Sequence, residues 1–232
     1  MTFEEIKKAA EAEWQGLENS PKPRILIGSA TCGRASGALK VKDAMEAALA
    51  RYGIQAIIME VGCIGTCYVE PIINIIKPGR PQVYYGNVTP DTGAQLVEDY
   101  IINDNARPDL ALGTVGDTTI EGIPRLYDMP MLKPQVRIVL RRCGIIDPEN
   151  INHYIATDGY SGLMKAFSMT PEEVIEEIKR AGLRGRGGAG FSTGLKWELC
   201  RKNQGDIKYI ICNADEGDPG AFMNSSLLEG DP

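Results

Sequence analysis

At 232 residues, 43% hydrophobic and 24% charged, the chain has the length and balance of a globular protein with one large or two modest domains. Its 31 acidic residues outnumber its 25 basic ones for a net charge of −6, which argues against general nucleic-acid binding. No apolar run approaches the roughly 18 residues of a membrane span. The N-terminus, MTFEEIKKAAEAEWQGL, is a charged amphipathic helix without a signal peptide's apolar core, so a cytoplasmic protein is expected.

In chain order, residues 1–20 form that N-terminal helix, and PKPRILIGSAT (21–31) reads as a buried strand. SGALKVKDAMEAALARYG (36–53) places Val41, Ala44, Met45, Ala48, Leu49 and Tyr52 at helical spacing, with Ser36 to cap its start and Gly53 its end. IQAIIMEVG (54–62) is a second strand. PIINIIKPG (71–79) and PQVYYGNV (81–88) are two short strands about a turn at Pro78-Gly79, a hairpin. TPDTGAQLVEDYIIND (89–104) reads as a helix. The region 21–104 is thus a compact two-layer α/β domain.

Residues 105–160 carry Pro108, Pro124, Pro130, Pro134 and Pro148 and read as an extended connector. Only QVRIVLRRCG (135–144) looks like a strand within it, and Ile120, Leu126, Met131 and Leu132 give it enough apolar surface to pack on its neighbours. His153, the single histidine, excludes a histidine-rich metal site and is expected in an unremarkable loop role.

A second domain is expected over 161–232. SMTPEEVIEEIKRAG has Thr170 as N-cap, Pro171 at the first helical position and Glu173 to close a capping box, with Val174, Ile175 and Ile178 inward and Gly182 at the end. A helix is expected over 193–203 from Thr193, and a strand from Ile207 to Cys212. One strand makes no sheet, so the domain is expected to be incomplete over these residues.

Between the two helices of this second domain lies a glycine-rich loop with Gly185, Gly187, Gly188 and Gly190. Bare backbone leading into a helix N-terminus lets amide groups approach an anion closely. Arg184, Arg186 and Lys196 add positive charge, so a phosphate or pyrophosphate is the expected guest. Gly185, Gly187 and Gly190 match G-x-G-x-x-G, but a helix precedes them where the dinucleotide fingerprint needs a strand. Walker A fails as well, because Leu195 separates Gly194 from Lys196. The acidic turn CNADEGDPG (212–220) offers Asn213, Asp215, Glu216 and Asp218, acceptors suited to sugar or ribityl hydroxyls.

Of the six cysteines, Cys32 follows the first strand and Cys63-x-x-x-Cys67 the second. Loops at one end of a sheet converge, so three thiols can meet there. Iron–sulfur clusters want four soft thiolate ligands. Cys143, Cys200 and Cys212 read as packing residues in apolar contexts.

GLRGRGGAGFSTGLKW, CNADEGDPGAF and LLEGDP together resemble the flavoprotein subunit of NADH:quinone oxidoreductase. GDPGAFMN and the N-terminal extension make the chain more similar to the beta subunits of electron-bifurcating [FeFe]-hydrogenases and related NAD(P)-linked redox complexes. The resemblance implies an α/β protein with a thioredoxin-like [2Fe-2S] ferredoxin domain, a connector, and the start of a Rossmann-like FMN/NAD(P)H-binding domain. It implies that Gly185, Arg186, Gly187, Gly188, Ala189, Gly190, Ser192, Thr193, Gly194, Lys196, Asn213, Asp215, Glu216 and Asp218 line the flavin and nucleotide site, with Phe191 near the adenine end. It implies Cys32, Cys63 and Cys67 as cluster ligands, with Gly37 where a fourth cysteine would stand and a non-cysteine or displaced fourth ligand. It also implies an electron-transfer oxidoreductase subunit, with other iron–sulfur subunits as partners. Ser192 stands where proline is usual, which should loosen the loop, and Leu199 where an aromatic is common. Three alternatives stay open: a docking domain without a cluster, a thiol-redox domain, and a non-catalytic ferredoxin-like carrier.

Overall fold

The computed structural model describes residues 2–205 and 207–232. They divide into two compact units, one running to Thr157 and joined by Ala214–Pro232, the other Asp158–Asn213.

The first unit begins with α1 (Phe3–Glu18), closed by a capping box in which Thr2 and Glu5 exchange side-chain and backbone hydrogen bonds. Strand β1 (Arg24–Gly28) is followed by the short helix α2 (Thr31–Ser36) and the long helix α3 (Ala38–Tyr52), then by β2 (Ile57–Val61). Parallel neighbours cannot be joined by a tight turn, and α2 and α3 supply the crossover between β1 and β2. Ser36 does not cap α3; it ends α2, and Gly37 in the left-handed region (φ 98°) links the two helices. Gly53 ends α3 in the same conformation, as expected.

Strands β3 (Ile73–Ile76) and β4 (Gln82–Tyr85) form the predicted antiparallel hairpin, and the sheet order is β2-β1-β3-β4-β5. The register puts Ile25 opposite Ile75, Ile27 opposite Ile73, and Val83 opposite Ile75. Alternate side chains share a face, so these residues and Tyr85 form one buried layer with Val41, Met45 and Leu49 of α3 and with Leu96, Val97 and Tyr100. The opposite face is also covered, by Ile64, Val69, Leu126 and Leu132 over Ile72 and Tyr84. Burial on both faces explains the near-continuous apolar runs. The expected helix over 89–104 is α4 (Pro90–Leu96), N-capped by Thr89, continuing as a π-helical segment Val97–Ile102.

The connector differs from expectation. Its strand is β5 (Ala111–Val115), antiparallel to β4, and not residues 135–144, which form turns. Gly113 is required in β5 because a Cβ there would lie 2.6 Å from the Leu126 Cα. The outer edge of β5 already carries a bridge between Thr114 and Arg125. Among the described residues no strand edge pairs with residues 135–144, and Val136 and Ile138 are exposed. His153 is not in a loop. It is buried in α5 (Ile151–Ala156), packs edge-on against Trp14 of α1 at 5.0 Å and accepts the Asp147 N–H at Nδ1.

The second unit holds α6 (Ser161–Phe167), α7 (Pro171–Arg180) and α8 (Thr193–Lys202). The capping box of Thr170 and Glu173 starts α7 as predicted. α7 and α8 pack closely at Gly194. The strand expected from Ile207 to Cys212 does not form: these residues carry no regular secondary structure, and Ile210 is 99% exposed. A strand needs a neighbour for its backbone groups, and none adjoins this stretch among the described residues. Cys212 is therefore exposed, and Cys200 lies on the outer side of α8; neither is the packing residue expected, whereas Cys143 is buried. The last helix, α9 (Met223–Gly230), belongs to the first unit.

Candidate functional site

Two constellations carry chemistry, one in each unit. In the first, parallel pairing of β1 and β2 sends both chain ends to the same edge of the sheet. Cys32 lies in α2 after β1, and Cys63 and Cys67 follow β2. Gly65, at φ 90°, folds the C-x-x-x-C stretch back, so that Cys63 Sγ and Cys67 Sγ stand 3.5 Å apart and the Gly65 N–H donates to Cys63 Sγ. The neighbouring Cys67 thiol raises the Cys32 pKa, with burial adding to the effect. Burial pushes the Cys63 thiol well above the ordinary thiol value. The set thus grades from buried Cys63 to exposed Cys32.

Among the described residues no three His, Cys, Asp or Glu side chains converge on one point as a single metal ion requires. Cys63 and Cys67 meet as a close pair instead. A two-iron cluster needs such pairs, because each iron takes two protein ligands. Position 37 contributes no ligand, and its left-handed backbone disfavours any residue with a side chain.

Sequence reasoning missed Glu70. Its carboxylate is buried, Oε2 accepts the Ile72 N–H at 2.8 Å, and Oε1 has no hydrogen-bond partner. Burial raises its pKa, opposed by the Ile72 amide and the neighbouring Cys63 thiol. The signal was present as one acid inside the apolar run CYVEPIINII, where a charged residue has no structural reason to be.

In the second unit the glycine loop is pinned at its base. Gly185 N–H donates to the Phe191 carbonyl at 2.8 Å and Thr193 N–H to the Leu183 carbonyl at 3.0 Å, with a bridge between Arg184 and Ser192. Residues 186–190 project beyond it. Gly188 and Gly190 take positive φ, and a Cβ at Gly187, Gly188 or Gly190 would meet nothing within 4 Å. Ser192 does not merely loosen the loop: its hydroxyl accepts the Leu195 N–H and N-caps α8, which a proline cannot do. Arg184, Arg186 and Lys196 are exposed and form no ion pair among the described residues. Ala189 is exposed at the tip and Phe191 is 45% exposed. Gly194 differs from the other glycines. It is buried, and a Cβ there would lie 2.5 Å from Lys179 Cγ and 2.8 Å from Lys179 N. Its bareness serves helix packing.

Asn213 ends the unit holding the loop, while Asp215, Glu216 and Asp218 belong to the other. The Glu216 carboxylate accepts the Asn224 and Ser225 N–H groups and the Ser225 hydroxyl at the start of α9. These bonds, the Ser225 hydroxyl first, hold its pKa below the usual carboxylate value. The Asp218 carbonyl accepts the Ala221 N–H.

The pinned loop and the acidic turn both fall within one recognisable segment. Residues 178–232 match the Nuo51 FMN-binding domain of the Complex1_51K family. Over 100 residues the chain is 60% identical to the NADP-reducing hydrogenase subunit HndC of Solidesulfovibrio fructosivorans, covering 43% of this chain and 20% of that one. It is 34% identical over 219 residues to the NAD-reducing hydrogenase HoxS subunit alpha of Cupriavidus necator, covering 92% of this chain and 33% of the other. One subunit of the NADH-quinone oxidoreductase of Rhizobium meliloti is 46% identical over 96 residues, 41% of this chain and 23% of its own. The chain therefore spans a fifth to a third of the length of these curated relatives, all of them oxidoreductase subunits. Among solved structures, a thioredoxin-like [2Fe-2S] ferredoxin from Aquifex aeolicus aligns at 16% identity and TM-score 0.35, over 43% of this chain and 97% of that one. The Nuo51 segment runs across both units, through α8 and α9.

Proposed function

We propose that the chain is part of an electron-transfer flavoprotein subunit of a cytoplasmic NAD(P)H-linked oxidoreductase complex, working with FMN, NAD(P)H, a [2Fe-2S] cluster and partner iron–sulfur subunits. The observation that carries this is the pinned glycine loop inside the Nuo51 segment. Its open Cβ positions, with Arg184, Arg186 and Lys196 in no ion pair among the described residues, suit an anionic tail. These residues would hold the FMN phosphate; Asn213, and in the other unit Asp215 and Asp218, are acceptors that suit hydroxyl groups. Glu216, held by Ser225 and Asn224, would act by fixing the start of α9. When bound, the flavin supplies exchange between two-electron and one-electron carriers, and the protein supplies position and charge.

The thiol site fits a two-iron cluster in its close pairing of Cys63 with Cys67, one pair of ligands for one iron, with the Cys32 thiol nearby. Cys32, Cys63 and Cys67 would be ligands, with the buried side of the pair excluding water. No described helix is long and apolar enough to cross a membrane.

The test is reconstitution of the chain with FMN and, separately, with iron and sulfide, followed by desalting. Retained flavin absorption that Gly187→Val abolishes supports the reading. A chain that keeps an iron–sulfur spectrum but no flavin is instead a ferredoxin-like carrier, a reading favoured by the close thiol pair alone.

A further inference from the structure

Three thiols leave a two-iron cluster one ligand short. The position where a fourth cysteine would stand is Gly37, whose φ of 98° disfavours any side chain. We propose that Glu70 supplies the fourth protein ligand, through Oε1, to the cluster held by Cys32, Cys63 and Cys67. This rests on the reading that the thiol site holds a cluster at all.

Glu70 follows Cys67 by three residues, on the same loop. It is 7% exposed, and one carboxylate oxygen is satisfied by the Ile72 N–H at 2.8 Å. The other, Oε1, is buried without a hydrogen bond, and no lysine, arginine or histidine pairs with the carboxylate among the described residues. Burying a polar atom without compensation is costly, so such a group is kept for a partner. Glu70 and Cys63 line the same small cavity with Gly28 and Ile64. The carboxylate also packs against the backbone beside Cys32: a Cβ on Gly28 or on Gly33 would lie 3.3 Å from Oε2. Gly33 directly follows Cys32. The orphan oxygen thus belongs to a carboxylate wedged between the two cysteine-bearing segments. A carboxylate is a competent ligand for iron and carries the same charge as the thiolate it replaces, so the ligand set keeps four negative charges.

The test uses the full chain, reconstituted anaerobically with iron and sulfide, as wild type, Glu70→Gln, Glu70→Ala and Glu70→Cys. Iron and sulfide content, visible absorption and the EPR spectrum of the dithionite-reduced protein are measured on each. The expected result is a two-iron cluster in the wild type. Glu70→Gln and Glu70→Ala lose most of the bound iron or show shifted EPR g values. Glu70→Cys keeps the full iron content with its visible bands and g values moved to an all-thiolate pattern. Thermal unfolding of the apo forms separates ligand loss from misfolding, and the near-isosteric glutamine variant decides if the alanine variant unfolds. Wild-type iron content with unchanged spectra in both Glu70→Gln and Glu70→Ala overturns the assignment and leaves the cluster reading standing. A wild type that takes up no cluster overturns that reading, and the assignment with it.

Discussion

Gly187 and Gly194 belong to one glycine-rich stretch, yet substitution should affect them in opposite ways. At Gly194 an added Cβ would lie 2.5 Å from Lys179 Cγ, 2.8 Å from its backbone nitrogen and 3.0 Å from its Cα. Ordinary contact begins near 3.5 Å, so α7 and α8 must separate by roughly an ångström. Two of the three atoms are main chain, so no rotamer change relieves the clash. Overpacking of this kind costs about 1–3 kcal/mol. Alanine's helix preference over glycine returns at most about 1 kcal/mol. Gly194→Ala should therefore destabilise its unit, by up to about 3 kcal/mol. At Gly187 the added side chain meets nothing within 4 Å and the backbone does not take a positive φ. Gly187→Val should change stability by no more than about 0.5 kcal/mol, while FMN affinity falls at least about tenfold, or about 1.4 kcal/mol. The chain has two tryptophans, Trp14 in the first unit and Trp197 in α8. Denaturant unfolding in a Trp14→Phe background, followed by Trp197 fluorescence, reports on the second unit alone. Flavin titration completes the pair. A Gly187→Val protein that unfolds early, or that binds FMN as the wild type does, would refute the division of the loop into a ligand-facing tip and a packing base.

Three further expectations follow from local geometry. Thr170→Ala removes the acceptor for the Glu173 N–H at the start of α7 and should cost about 1 kcal/mol in the same fluorescence assay; no change would mean that the cap is not formed in solution. Gly33→Ala would drive a Cβ into the Gly28 carbonyl oxygen, a main-chain atom that no rotamer change can move away, so it should cost about 3 kcal/mol and lower the yield of folded chain, measured by circular dichroism melting. Burial holds the His153 pKa below its ordinary value, so the unfolded chain binds the proton more readily. Stability should be full above about pH 6.5 and fall as pH drops from there through the lowered folded-state value. His153→Gln should flatten that part of the profile, and an unchanged slope would assign the pH dependence elsewhere.

The parts of the fold legible in the sequence are those determined within a few neighbouring residues. The capping box at Thr170, the Pro78-Gly79 hairpin and the left-handed stop at Gly53 each depend on local chemistry, and each is where the sequence places it. The two misplaced elements are both strands, whose backbone groups must find a partner far away in the chain. QVRIVLRRCG has better β composition than ALGTV, yet the second lies beside β4 and forms the strand, its Gly113 chosen for the crossing of Leu126 and not for propensity. The stretch from Ile207 to Cys212 has the composition and lacks the neighbour. The candidate sites divide along the same line. The cysteines were legible because spacing and strand order bring them together, and the loop because its glycines have no packing use at the tip. Glu70 was not. A lone carboxylate in an apolar run carries no spacing code, and its meaning arises only where β1, α2 and the loop after β2 enclose it. Asp231 also buries an orphan oxygen, but Arg142 pairs its charge; Glu70 has an orphan oxygen and no cationic partner among the described residues, a cost that folding alone does not explain. That cost makes it the feature of this unit whose chemistry is most in need of a ligand.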